Sequence, residues 1–188
     1  RARAAALAER LGPDCIDINM GCCAKKVCGP GAGAGLLRDT SLLGRIAQAV
    51  VNAVTLPVSA KIRIGYTEQT KNYRDVVRIL EDAGVNHITV HGRTASQQYS
   101  GKADWNIISE VASMTSLPVI GSGDITSLEE ARERIADSGC RAVMIGRAAI
   151  GNPWIFSGEQ PTPQEQAEMA IRHLNMMMDH YGEYGLVL

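Results

Sequence analysis

The sequence predicts an α/β fold with a parallel sheet. Five short apolar segments recur along the 188 residues, and each is separated from the next by a stretch with helical spacing, so the chain reads as βα repeats. The apolar segments show little alternation with polar residues, as expected of strands covered on both faces. The connections are short, which in βα order implies parallel strands joined by right-handed crossovers.

Residues 1–10 read as the end of an amphipathic helix, too charged and too short in their apolar part for a signal peptide. Strands are expected over 15–19, 58–62, 87–90, 119–120 and 142–145, and helices over 41–54, 71–83, 105–114 and 128–136. Helix punctuation supports these spans. Thr126-Ser127-Leu128-Glu129-Glu130 offers a capping-box start, pairing Ser127 with Glu130 or Thr126 with Glu129. Gly84 and Gly139 stand where helices stop. A last helix is expected over 163–181, opened by Thr162, Pro163 and Glu165, with 157–161 as a linker before it.

Composition sets bounds on function. A chain that is 45% hydrophobic can bury a core. Its 188 residues fall short of the roughly 250 of a complete (β/α)8 barrel. Net charge is −1, so the strong basic balance common in nucleic-acid binders is absent, although a local basic face is compatible with it. No apolar run is long enough to span a membrane. The five cysteines (Cys15, Cys22, Cys23, Cys28 and Cys140) are odd in number and lack Cys-x-x-Cys spacing. They suggest neither a disulfide framework nor a zinc site, and a reducing cytoplasm is the simplest compartment. No metal is expected.

In a parallel α/β barrel the chemistry sits at the C-terminal ends of the strands. Asn19-Met20-Gly21-Cys22-Cys23 follows the first strand, and Lys61 and Arg63 end the second. His91-Gly92-Arg93-Thr94 follows the third, Gly121-Ser122-Gly123-Asp124 the fourth, and Gly146-Arg147 the fifth. The last two clusters fit a phosphate site built from close-approaching backbone at helix starts, or they simply make tight βα turns. Lys61 suits an anionic or electron-rich ring atom, or it snorkels to the rim. Cys22 is an exposed acid or nucleophile, or a small buried hydrophobe. His91 contacts a cofactor or is a satisfied hydrogen bonder. Cys15 and Cys140 are expected in the core, and His87, His173 and His180 carry no role.

These blocks resemble, in order, those of the tRNA-dihydrouridine synthases, and are most similar to the bacterial B-type subgroup. Asp17-Ile18-Asn19-Met20-Gly21-Cys22, Lys25-Lys26-Val27 and Gly33-Ala34-Gly35-Leu36-Leu37 resemble the catalytic loop. Lys61-Ile62-Arg63, His91-Gly92-Arg93-Thr94, Gly123-Asp124-Ile125, Met144 to Ala149 and Gly151 to Phe156 resemble the later blocks. The resemblance implies a TIM barrel, present as a partial barrel of about the last five βα units (1–156), followed by a linker and the start of a C-terminal helical tRNA-binding domain (157–188). It implies FMN as cofactor, NADPH as reductant and tRNA as partner, and the full-length protein is expected to be a monomer. Lys61, His91, Ser122, Gly123, Asp124, Gly146 and Arg147 fall at cofactor positions, Cys22 at the general acid, and Asn19, Arg63 and Arg93 on the substrate side. Hydride would pass from flavin N5 to uracil C6, and a proton from Cys22 to C5. Cys23 stands where the family has proline. The family's opening strands and most of its helical domain have no counterpart, so residues 1–188 are expected to be a fragment with open sheet edges. Alternatives are another flavin barrel (dihydroorotate dehydrogenase-like or an ene-reductase), a non-catalytic RNA binder, or a flavin-free phosphate-sugar barrel.

Overall fold

The protein is described from a computed structural model that covers residues 1–29 and 31–182. Strands β1 (Ile16–Asn19), β2 (Val58–Arg63), β3 (His87–His91), β4 (Val119–Ser122) and β5 (Ala142–Met144) form one parallel sheet in the order β1-β2-β3-β4-β5. Helices α1 (Ala2–Glu9), α2 (Thr40–Val51), α3 (Tyr73–Asp82), α4 (Trp105–Met114), α5 (Leu128–Ser138) and α6 (Pro163–Tyr181) complete the main elements. Sequential strand order with helical crossovers makes residues 1–148 a run of (β/α)8-barrel units, the predicted partial TIM barrel.

Local chemistry explains the helix starts. Asp39 accepts from the Leu42 amide to begin α2, and Asp104 does the same from Ile107 for α4. For α5 the two expected boxes merge: Ser127 accepts from the Glu130 amide, while the Glu130 carboxylate accepts from both the amide and the hydroxyl of Thr126. Gly139 ends α5 in the left-handed region at φ 72°. The α6 capping box forms between Thr162 and Glu165 as predicted.

The helix-facing side of the sheet is apolar, whereas the alternate residues Asp17, Asn19, Ser59, Lys61 and Thr89 make the other side polar and leave Asp17 and Asn19 exposed, so the expected apolar cover on both faces is not seen. Ala60, Ile62, Ile88 and Val90 are fully buried, packed with Leu43, Ala47, Val76, Val77, Leu80 and Ile108 from the helices. Cys140 is buried as expected, whereas Cys15 is only half-buried.

Three differences from the sequence reading concern connections. Short 3-10 turns occupy Gly33–Arg38, Glu68–Thr70, Arg147–Ala149 and Pro153–Phe156. The Glu68–Thr70 turn shortens α3, which begins at Tyr73 rather than 71. The chain also divides into compact units at Ala148/Ala149, earlier than the expected boundary at 156/157. Arg147–Ala149 and Pro153–Phe156 lack the 3.6-residue period that marks a helix in sequence, so their turns are set by packing. The second unit holds α6, which has no buried residue and exposes Ile171, Leu174 and Met176. The end of the expected segment 157–188 lies outside the described residues.

Strand register brings the polar ends together. Asn19 pairs with Lys61, Arg63 with His91, His91 with Ser122, and Ser122 with Met144. The residues that carry chemistry thus form one row along the C-terminal rim.

Candidate active site at the strand ends

Two cavities open on this rim. The first, about 540 Å³, is lined by Lys61, His91, Ser122, Gly123, Asp124, Gly146 and Arg147, among others. The second, about 460 Å³, holds Asn19, Cys22, Lys25 and Arg63. Lys61, His91 and Tyr99 line both. The volumes lie in the usual range for small-molecule sites.

The Cys22 loop is held from several sides. The Asn19 side-chain oxygen accepts from the amides of Gly21 (3.2 Å) and Cys22 (3.0 Å). The Cys22 carbonyl accepts from the Ala34 amide at 2.9 Å. Arg63 donates through Nε to the Gly21 carbonyl at 3.0 Å. Gly33 permits this closure, since a Cβ there would lie 2.5 Å from the Cys22 oxygen and φ is +51°. The half-buried Cys22 is therefore presented on a fixed backbone at the cavity wall.

Arg63 is itself buried. Its Nη1 donates to the carbonyls of Thr94 (2.8 Å) and Gln98 (2.9 Å), which leaves Nη2 outside these bonds. Lys61 has no carboxylate partner among the described residues, and burial, helped by Arg63, lowers its ammonium below the usual lysine range against the pull of Asp17.

Arg93, expected to touch substrate, is placed elsewhere. It is 2% exposed and lines neither cavity. Nε donates to the Ser100 carbonyl, Nη2 to the Gly101 carbonyl and to both oxygens of Asp124 at 2.7 and 2.8 Å, and Nη1 to His91 Nε2 at 3.3 Å. The cause of the correction is burial of charge: an arginine taken from water needs every donor met, so this one pins the loop after β3. Asp124 is its counter-ion. It also accepts from the Ala103 amide (2.7 Å) and Arg147 Nη2 (2.9 Å). Burial works to raise the Asp124 carboxyl, but the Ala103 amide and both arginines outweigh it and hold the group below the usual range.

A guanidinium can only donate, so His91 Nε2 accepts and its proton sits on Nδ1. Burial, with Arg63, Lys61 and Arg93 nearby, lowers His91 to about 3 against the opposing Asp124. The ring is neutral at pH 7. As pH falls below 6.5 the unfolded chain takes up a proton that the folded chain refuses. Stability is therefore expected to drop by about 1.4 kcal/mol per pH unit toward pH 3, and to be restored on return to neutrality. Urea unfolding at pH 6.5, 5.5 and 4.5 should show this steeper fall against His91→Gln. Parallel curves for the two proteins would refute the neutral, buried assignment.

The two predicted glycines differ in cause. A Cβ at Gly123 would lie 2.4 Å from the Ala103 Cβ, and φ is +138°, so packing alone demands glycine. Gly123→Ala is expected to cost about 2–3 kcal/mol. Adding Ala103→Gly should recover only part of that loss, because the φ penalty remains; a melting temperature unchanged in the single variant would contradict the assignment. A Cβ at Gly146 would meet nothing within 4 Å. No protein atom requires glycine there, and the backbone is open to the cavity it lines. Ser122 is buried beside it on the same wall.

Tyr99 carried no signal in sequence. It is 58% exposed and lies under two guanidinium groups, Arg147 at 4.8 Å and Arg63 at 6.0 Å. Gln98 beside it has φ 51°. The backbone around it is fixed by Arg63 at Thr94 and Gln98 and by Arg93 at Ser100 and Gly101. An aromatic ring in a run of polar residues could have been flagged, but only its position between the cavities gives it meaning.

Among the described residues no cluster of three or more His, Cys, Asp or Glu can hold a metal, and no helix is long and apolar enough to cross a membrane.

Fold and rim together define a protein of the (β/α)8-barrel class, with two adjoining cavities at the strand ends. Solved structures agree on the fold. The Amycolatopsis orientalis BexX/CysO complex matches 86% of this chain and 65% of that one at 19% identity and TM-score 0.53. The 6-hydroxypseudooxynicotine amine oxidase of Pseudomonas geniculata N1 matches 83% of this chain and 27% of that one at 20% identity and TM-score 0.64. Sequence comparison is more specific. The family profile Dihydrouridine synthase (Dus) matches residues 1–186, and the chain belongs to that family. It is 42% identical to a probable tRNA-dihydrouridine synthase of Rickettsia conorii, covering 97% of this chain and 58% of that protein. It is 43% identical to tRNA-dihydrouridine synthase B of Pseudomonas putida, covering 97% of this chain and 57% of that protein. The chain thus spans a little over half the length of these curated relatives.

Proposed function

We propose that the protein containing this chain reduces uridine to 5,6-dihydrouridine in tRNA, with FMN as cofactor and NADPH as reductant. The observation that carries the reading is the pair of adjoining cavities, one with an open glycine backbone and cations, the other with Cys22, which share Lys61, His91 and Tyr99.

The first cavity fits FMN. Gly146 leaves room for close approach of a phosphate, and the exposed side of Arg147 supplies charge. Lys61 brings a compact cation without a carboxylate partner to the junction, suited to an electron-rich ring atom. The neutral His91 contributes a donor at Nδ1. Ser122 and Gly123 form the wall, while Asp124 fixes Arg147 and Arg93. When bound, FMN supplies the hydride that uracil C6 receives.

The second cavity fits the base. The Asn19 oxygen is committed to loop amides, so its side chain has only N–H groups to offer. Arg63 Nη2 is likewise a donor. Two donors match the carbonyl oxygens of uracil and oppose the amino group of cytosine. Tyr99, engaged by Arg147 and Arg63, borders the space that a flipped base enters. Cys22 Sγ gives its proton to C5 as negative charge develops there, a general-acid role worth about 10²- to 10⁴-fold. Lys25 at the mouth suits a phosphate. Arg93 acts as a positioning residue.

The test is to express the complete protein in cells lacking dihydrouridine synthases and to quantify dihydrouridine in their tRNA by mass spectrometry. Dihydrouridine is expected to return. A soluble, yellow protein that restores none would overturn the tRNA reading and leave another flavin reductase.

A further inference from the structure

A third cavity, about 580 Å³, lies beside the Cys22 loop and shares no residue with the first two. One wall is the 3-10 turn ending at Arg38, and the other is the segment after β2, from Tyr66 to Asn72. The walls are tied together, since Asn72 Nδ2 donates to the Leu37 carbonyl at 2.8 Å. The first wall is also tied to the catalytic loop through the Ala34 amide on the Cys22 carbonyl. The cavity and the substrate cavity therefore belong to one braced surface of the rim.

Its lining combines two features. The Arg38 guanidinium lies over the Tyr66 ring at 5.0 Å, and Arg38 is exposed, which leaves its outer face as a planar cationic platform. Among the described residues Lys71 is paired only with Glu68, whose side chain is 62% exposed; such pairs are weak and yield readily to a phosphate. A stacking plane and a cation side by side are what a nucleotide's base and phosphate require.

We propose that this cavity seats a nucleotide of the tRNA that flanks the uridine being reduced, with its base on Arg38 and its phosphate at Lys71. The proposal rests on the reading of tRNA as substrate. It gives the protein a grip on the strand next to the flipped base, where holding the backbone favours extrusion.

The test uses the complete, cofactor-loaded protein and an unmodified tRNA transcript, with affinity measured by fluorescence anisotropy across salt concentrations. Arg38→Ala is expected to weaken binding about tenfold, and Arg38→Lys to recover only part, because charge returns without the stacking plane. Lys71→Gln should reduce the slope of log affinity against log salt by about one. Flavin reduction by NADPH, followed by absorbance, should be unaffected. Variants that melt like the wild type yet keep its affinity and salt slope would overturn the proposal. So would a loss confined to NADPH-driven reduction, which would make the cavity a dinucleotide subsite. Should the wild type itself neither bind nor modify tRNA, both readings fall; if it does both and the variants match it, only this one falls.

Discussion

Cys22→Ala is expected to lower dihydrouridine formation in the complete protein by about 10²- to 10⁴-fold while leaving flavin absorbance and tRNA affinity near wild-type values. The reason is geometric. The loop that carries Cys22 is braced through its backbone, by the Asn19 oxygen, the Ala34 amide and Arg63, and not through the thiol. Removing the sulfur deletes a proton donor without releasing the loop. Cys23 provides the control. It lines the same cavity, so Cys23→Ser should retain most activity if the proton comes from Cys22. Single-turnover reduction of tRNA, followed by mass spectrometry, separates the two. A Cys22→Ala enzyme with an undiminished rate would remove the thiol from the mechanism, and a collapse in Cys23→Ser alone would transfer the role to its neighbour.

Asp124→Ala is expected to be the most destabilising single change on the rim, by about 3 kcal/mol. Removing one partner of a buried pair typically costs 3–5 kcal/mol, and the lower end applies because Asp124 is 31% exposed while Arg93 is 2% exposed. The loss arises on the arginine side: Arg93 would keep its charge in the interior with its main acceptor gone. Arg147 and the Ala103 amide would lose the same anchor, so flavin affinity should fall with stability. The depressed Asp124 carboxyl adds a pH signature. Its contribution is complete above the ordinary carboxylate value and is lost only as pH drops through the lower folded value. Wild type and variant should therefore differ by a constant amount from pH 5 to 8 and converge only in strong acid. Chemical denaturation across that range tests this; a difference under about 1 kcal/mol at neutral pH would show that Arg93 finds other compensation.

Much of the barrel was legible because its signals are local. Apolar runs, glycine punctuation and caps such as Ser127 and Thr162 act over a few residues, and the structure places them within a few positions of the expected bounds. The rim was legible for the same reason: a parallel sheet puts every strand end on one side, so Asn19, Lys61, Arg63, His91 and Ser122 meet in register. The 3-10 turns were not legible, because three or four residues have no period to detect. Tyr99 was missed because an isolated aromatic in a loop has no meaning until two distant arginines close around it.

By itself, then, the sequence determined the element order, the parallel sheet and the set of reactive groups at its edge, all consequences of short-range periodicity and chain connectivity. Only the tertiary structure decided how those groups divide their donors and acceptors. Arg93 is spent on Asp124, His91 and two carbonyls, and is buried; Arg63 keeps one nitrogen outside its carbonyl bonds; the Asn19 oxygen holds the loop, so its N–H groups are left for a ligand. The physical reason is that desolvation and hydrogen-bond satisfaction depend on partners far along the chain, such as Arg93 with Asp124, and no local pattern of residues encodes that pairing.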